Sequence, residues 1–113
     1  MQRPFKNVPT QMGIYAIRNL QNAKVFLGWS LDVNALLNRS RFELEHGSHA
    51  NKVLQADWRG YSSEAFEFVV LDELKPRPEE SPKAAYRKEL EALYALWLEE
   101  LKPYEERGYH SRP

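Results

Sequence analysis

The side chains best suited to chemistry in the first third of the chain are positively charged. Residues 1–31 contain four basic residues and no acidic one, a local charge of +4. Such a segment can neutralise the phosphates of a nucleic-acid backbone. The whole chain is nonetheless neutral, with 16 basic and 16 acidic residues, and residues 61–80 carry a local charge of −4. An ordinary surface of mixed charge explains the pattern equally well. The basic residues of the first segment are Arg3, Lys6, Arg18 and Lys24.

The three histidines do not have the spacing of a zinc site, and the chain contains no cysteine. We expect His46 to interact with the C-terminus of a helix. His49 is expected to be structural or to face a substrate, and His110 stands alone near the end of the chain. Trp29 could stack on a base, but a tryptophan is more often part of the core. These residues predict no metal and no other cofactor.

A β-hairpin is the first element that must position such residues. Residues 13–18 and 24–28 are short β-branched and aromatic runs on either side of the turn-prone segment 19–22. Side chains alternate across a strand, so Tyr15 and Ile17 share one face. In the expected alignment of the two strands, Phe26 lies close to Tyr15 on that face.

Two helices are predicted to follow the hairpin. Asp32 is a good N-cap for a helix over residues 33–45, and Gly47 is a typical residue to end it. A shorter helix is expected over residues 51–59, with Asn51 near its start. The residues expected to face inward from this second helix are Val53, Leu54 and Trp58.

A third strand and a long helix complete the predicted elements. Residues 65–74 alternate aromatic and acidic side chains and then become apolar, which is typical of a partly buried strand. Ser81 and Pro82 predict the start of a helix over residues 82–101, with proline at its first helical position. Its apolar residues recur at spacings of three and four, and Pro103 ends it.

The order of these elements indicates an α+β fold, a small antiparallel sheet packed by helices. With 113 residues, the chain is expected to form one domain. We assign an extended lead-in to residues 1–12, the domain to residues 13–110 and a tail to residues 111–113. No apolar run has the length of a signal peptide or a membrane span. The expected location is therefore the cytoplasm, without a membrane partner.

Several blocks of the sequence, in order, resemble the GIY-YIG nuclease family, in particular its single-domain bacterial and phage members. The first signature stands here as Gly13-Ile14-Tyr15, and the second as Phe26-Leu27-Gly28. The resemblance extends from about Pro9 to about His110 and implies a three-stranded antiparallel sheet flanked by three helices. The other matching positions are Ser30, Asp32, Val33, Gly47, His49, Asn51, Lys52, Leu54, Gln55, Trp58 and the run from Phe66 to Leu71.

The resemblance also implies a chemistry against which the chain can be checked. Members of the family hydrolyse phosphodiesters with one divalent metal ion. A tyrosine of the first signature activates water, an arginine of the first helix stabilises the phosphate charge, and a glutamate of the last long helix holds the metal. A second tyrosine, a histidine and a late asparagine complete the site. These roles require a base, a fixed positive charge and an oxygen ligand.

Of these positions, the chain keeps only the first tyrosine, as Tyr15. Loss of a transition-state arginine costs several orders of magnitude in phosphoryl-transfer rate, about 10³–10⁵ by analogy with arginine fingers. Loss of the carboxylate ligand removes the metal as well. The resemblance therefore implies a nuclease site that has lapsed. By alignment, the second tyrosine is replaced by Phe26, the arginine by Leu36, the histidine by Ser40, the glutamate by Tyr94 and the asparagine by His110.

Three hypotheses about function follow. The leading one is nucleic-acid binding, of DNA or RNA, or regulation without cleavage. The second is a working endonuclease that uses Mg²⁺ or Mn²⁺, with Arg39 and Glu91 in the relocated roles, or Glu89 or Glu99 in place of Glu91. The third is a protein-interaction module that retains only the fold. In the leading hypothesis the phosphate contacts come from Arg18, Lys24, Arg39, Arg41, Lys52 and Arg59.

The sequence also predicts what replaces the lapsed site. Leu36 and Tyr94 continue the apolar stripes of their helices, while Tyr15 and Phe26 share a face of the sheet. We therefore expect these four residues to form one hydrophobic cluster.

Overall fold

A three-stranded antiparallel sheet lies at the centre of the computed structural model, which describes residues 11–77 and 82–113. The central strand is β1 (Met12–Asn19), with β2 (Val25–Ser30) on one side and β3 (Phe66–Leu74) on the other. The predicted α+β class and hairpin are confirmed. The helices of the described residues are α1 (Val33–His46), α2 (Lys52–Gly60) and α3 (Lys83–Leu101), and short 3₁₀ turns cover Ser63–Ala65 and Glu105–Arg107.

The side chains of β1 divide the core between the two faces of the sheet. Tyr15 and Ile17 point towards α1 and α2 and pack with their buried residues, including Leu44 and Leu54. Ile14 and the other residues of the opposite face pack under α3. The molecule is therefore built in three layers, with α1 and α2 on one side of the sheet and α3 on the other.

The first two helices lie within one residue of their predicted ranges, α1 ending at His46 instead of residue 45 and α2 covering Lys52–Gly60 instead of residues 51–59. The Asp32 side chain accepts a hydrogen bond from the N–H of Ala35 at the start of α1, and Gly47 ends α1 in the left-handed conformation at φ 78°. The Asn51 side chain accepts from the N–H of Leu54 and caps α2. Local side-chain chemistry thus explains why the chain turns where it does.

One residue of α2 differs from the prediction. Val53 was expected to face inward but is 52% exposed. The buried face of α2 belongs instead to Leu54, Trp58 and the polar residue Gln55. Gln55 can be buried because its amide donates to the carbonyl of Leu44 and accepts from the N–H of His49.

The starts of β3 and α3 also differ from the prediction by one residue. Ala65 was expected to open the third strand, but its N–H bonds to the carbonyl of Ser62 in a 3₁₀ turn, so β3 begins at Phe66. Pro82 precedes α3 as its cap residue and is not its first helical residue. Ser81 and most of the predicted lead-in lie outside the described residues.

The C-terminal segment covers part of the outer edge of β2. The N–H of Tyr109 donates to the carbonyl of Val25, and the N–H of Leu27 donates to Nε2 of His110. Gly108 forms an isolated parallel bridge with Val25 and lies directly against the backbone of Pro103. Backbone groups that an edge strand would leave unpaired are thereby satisfied.

Candidate functional site

Tyr15 lies on the α1 side of the central strand, with its ring directly over Gly28 of β2. Only 6% of the residue is exposed. Burial, with smaller contributions from Tyr94 and Glu43, raises the pKa of Tyr15 to about 12, and the nearby Ser40 side chain opposes this shift. Tyr15 is therefore protonated at neutral pH and shielded from solvent.

Leu36 and Phe26 pack against the same cluster as Tyr15. The ring centroids of Tyr15 and Phe26 are 6.3 Å apart. On its outer side, Leu36 lines an open cavity of about 210 Å³ that also contacts Arg39 and Ser30. The apolar side chain of Leu36 thus lies between Tyr15 and Arg39, the basic residue one turn further along α1.

His110 lies between Phe26 and Tyr94. Its ring stacks on Phe26 at a centroid distance of 4.8 Å and an interplanar angle of 10°, and meets Tyr94 edge-on at 6.5 Å. Tyr94 itself packs on the α3 side of the sheet, against the cluster that contains Ile14. The expected four-residue cluster is therefore divided, because Tyr15, Phe26 and Leu36 share one cluster while Tyr94 belongs to the other.

The block around His49 holds the site's surroundings together. The Nδ1 atom of His49 accepts the N–H of Asn51 at 3.0 Å, and its ring meets Phe26 edge-on at 5.4 Å. The Asn51 amide donates to the carbonyl of Tyr109 at 2.8 Å. Of the two roles that the sequence left open for His49, these contacts support the structural one.

His49 and His110 make the folded state sensitive to acid. Each uses a ring nitrogen to accept a backbone N–H, which requires that nitrogen to be unprotonated, and burial lowers the pKa of both below the usual 6.5. Because the unfolded chain binds these protons more readily, the stability present above pH 6.5 is lost as the pH falls below it.

We expect the melting temperature to fall between about pH 7 and about pH 5.5 in wild type. The dependence should be weaker in His110→Gln, which cannot take up this proton. His46→Gln is the matched control, since His46 is exposed at the end of α1, and it should retain the wild-type profile. Identical profiles for wild type and His110→Gln would contradict the assignment.

The six basic residues proposed to contact phosphate differ in their surroundings. Arg39 lines the cavity beside Leu36, and Lys52 is exposed at the start of α2 near His49, so these two border the site. Arg39 is paired with Glu43 at 3.2 Å. The other four basic residues contact side chains or backbone elsewhere. Arg18 pairs with Glu67, Lys24 lies 5.8 Å from the centre of the Tyr109 ring, Arg41 lies over the Phe68 ring, and Arg59 packs against Gly47.

Comparison with known proteins places this arrangement in a fold family. No protein-family model and no curated protein matches the sequence. Two solved structures match nearly the whole chain, both of the catalytic domain of the homing endonuclease I-TevI. This is a GIY-YIG fold. The resemblance predicted from the sequence is confirmed.

The two matching structures agree closely in extent. A glutamate-to-alanine mutant of the I-TevI catalytic domain has a TM-score of 0.71 and 26% identity, and the match covers 89% of this chain and 93% of that one. The second I-TevI structure has a TM-score of 0.69 and 26% identity, with 90% and 99% covered.

The possible metal ligands of this GIY-YIG fold can be compared with the oxygen ligands that a divalent metal ion prefers. Within residues 11–77 and 82–113, no group of three or more His, Cys, Asp or Glu side chains could hold one. The position aligned with the family's glutamate carries the phenol of Tyr94. Of the carboxylates considered for relocation, Glu91 is exposed, Glu89 is paired with Arg77, and Glu99 with Lys102.

A buried polar network beside the site was missed from the sequence. Tyr109 donates its hydroxyl to Oδ2 of Asp57 at 2.7 Å and accepts from the Asn19 amide at 3.2 Å, and the Asn22 amide reaches the same carboxylate. Burial, together with Asp57, raises the pKa of Tyr109. Asparagines at both ends of the hairpin turn were the available signal, but their partners lie far away in the sequence.

Glu43 was also missed. It lies one turn after Arg39 and affects both Tyr15 and His49 electrostatically. Its position places a negative charge next to the site, where a phosphate would need a positive one.

None of the described helices has the length and apolarity needed to cross a bilayer.

Proposed function

We propose that this GIY-YIG-fold protein binds nucleic acid without cleaving it. The observation that carries the proposal is the packing of Leu36. The resemblance places the phosphate-stabilising arginine of the family at this position, yet Leu36 packs against the cluster of Tyr15 and Phe26. No fixed cation stands there to stabilise a developing phosphate charge.

The retained tyrosine supports the same conclusion. A general base works best with a pKa near the operating pH. The pKa of Tyr15 is raised to about 12, and its ring is buried over Gly28. Tyr15 thus acts as a packing residue in this protein, and it would be a poor activator of water.

The nucleic-acid part of the proposal rests on the fold and on the cations that border the filled site. The two solved structures that match this chain are of the catalytic domain of an endonuclease. Arg39, whose side chain is 73% exposed, and Lys52 lie on α1 and α2 on the same side of the sheet as Tyr15. Phosphate contacts from such exposed side chains fix a protein on a backbone without any cleavage chemistry.

The test is a gel-shift titration on single-stranded, duplex and branched DNA, with EDTA, Mg²⁺ or Mn²⁺, paired with a plasmid-nicking assay. We expect binding that does not require the metal and no nicking. Metal-dependent nicking would overturn the proposal in favour of the endonuclease hypothesis. Absence of binding to DNA and RNA at low salt would overturn it in favour of an interaction module.

The salt dependence of binding provides a sharper check. The double variant Arg39→Ala, Lys52→Ala should bind more weakly, and its slope of log affinity against log salt should be shallower by about 2, because two phosphate contacts are lost. Arg87→Ala, Lys88→Ala is the matched control, since it removes the same charge from exposed positions of α3. Equal slopes for the two variants would exclude the α1 and α2 side as the binding surface.

A further inference from the structure

A second site lies on the opposite side of the sheet from Tyr15. An open groove of about 460 Å³ runs along the flank of α3, next to β3. Apolar side chains form most of its lining, and carboxylates stand at its rim. The lining residues are Leu93, Leu96, Trp97 and Leu101, with Asp72 and Glu100.

The floor of this groove is held in place from below. Leu93, Trp97 and Leu101 pack against the buried cluster of the α3 side. The indole N–H of Trp97 donates to Oδ2 of Asp72 at 2.9 Å, which ties α3 to β3. The groove is therefore formed before any partner arrives, and binding would require little reorganisation.

Leu96 is the feature that a partner would cover. It is 67% exposed, the highest value among the large apolar side chains of the described residues, and it forms a wall of the groove. An exposed leucine alone needs no explanation. Beside a groove with an apolar floor, it extends one continuous apolar surface, which is typical of an interaction site.

The charge of the rim selects the kind of partner. Asp72 of β3 and Glu100 of α3 are the charged side chains of its lining. These carboxylates would repel a phosphate backbone. A symmetric dimer through this groove would bring the same carboxylates against each other, which disfavours a second copy. A segment with lysine or arginine beside its apolar side chains is complementary.

We propose that the groove between α3 and β3 docks a segment of a partner protein that presents leucine-like side chains flanked by lysine or arginine. The apolar side chains enter beside Leu96 and Trp97, and the cations meet Asp72 and Glu100. The groove would thus bind one face of an amphipathic helix or strand of the partner. This site is independent of nucleic-acid binding, which involves the other side of the sheet.

The test uses two synthetic amphipathic peptides, one of leucine and lysine and one of leucine and glutamate, titrated into ¹⁵N-labelled protein. We expect the lysine peptide to shift the Trp97 indole resonance and the amides of residues 93–101, and the glutamate peptide to leave them unchanged. Leu96→Ser should weaken binding of the lysine peptide about tenfold. Glu100→Lys should weaken it as well and improve binding of the glutamate peptide.

Leu20→Ser is the matched control, because Leu20 is 62% exposed and lies in the hairpin turn. It should bind the lysine peptide as the wild type does. The proposal is overturned if both peptides bind equally, if the shifts lie away from the groove, or if Leu20→Ser and Leu96→Ser are affected alike. Sedimentation of the protein alone adds a further check, since a dimer lost in Leu96→Ser would identify a second copy as the occupant.

Discussion

Restoring the family residues at two positions, Leu36→Arg and Tyr94→Glu, is expected to destabilise the protein without producing a nuclease. The new arginine would replace Leu36, which packs beside Tyr15 and Phe26. The new glutamate would replace Tyr94, which packs against the cluster that contains Ile14. Loss of packing and partial burial of charge should together cost about 2–5 kcal/mol, a large share of the roughly 5–15 kcal/mol by which domains are stable. Melting curves and a plasmid-nicking assay with Mn²⁺ measure the two parts of the expectation.

The matched control for this double variant places the same charges where they remain in water. Asn38→Arg and Ala95→Glu lie on the same two helices at exposed positions, and their combined effect on melting should be small. An unchanged melting temperature in Leu36→Arg, Tyr94→Glu would indicate an open cleft rather than a filled site. Recovery of nicking would show that two substitutions separate this chain from activity, even with Phe26 and Ser40 in place.

Gly28→Ala is expected to be comparably destabilising, because Tyr15 lies over this glycine. A Cβ atom there would approach the ring carbons and hydroxyl of Tyr15 to less than 3.0 Å. Tyr15 is buried and packs with Phe26 and the rest of its cluster, so its ring has little room to move. Overpacking should cost about 2–4 kcal/mol, read from chemical denaturation.

A double-mutant cycle separates this clash from a general sensitivity of β2. In a Tyr15→Leu background the ring is absent, so adding Gly28→Ala should cost much less than in the wild type. Gly60→Ala is the control, since a Cβ atom at Gly60 would meet nothing within 4 Å. Equal costs of Gly28→Ala in both backgrounds would refute the proposed contact.

The sequence was sufficient for the features that depend on neighbouring residues. Asp32 and Gly47 act on the N–H or carbonyl groups of residues only a few positions away, so their cap roles could be assigned without knowing the fold. Asn51 was predicted only to lie near the start of α2, which it caps. The hairpin and the fold family followed from short blocks in a fixed order. The same blocks assign Tyr15 and the substituted positions to the family's site, and that assignment stays a prediction.

The features that depend on distant residues could not be assigned in this way. Gln55, and not the predicted Val53, lies on the buried face of α2, because its amide forms hydrogen bonds with the backbone of Leu44 and His49. From the helical stripe we expected Tyr94 to pack in one cluster with Tyr15, but Tyr94 packs with the cluster on the α3 side of the sheet. Helical periodicity predicts that a face is buried and does not say against which layer it packs.

The C-terminal segment that covers the edge of β2 affects the order in which the molecule can assemble. The hydrogen bond between Leu27 and His110 spans 83 positions, and the one between Asn19 and Tyr109 spans 90. The turn between β1 and β2 is short, so the hairpin can form early, whereas contacts of such long range close late. During synthesis on the ribosome, the edge of β2 therefore remains unpaired until residues 108–110 have emerged. That interval is when this strand is most open to pairing with another nascent chain.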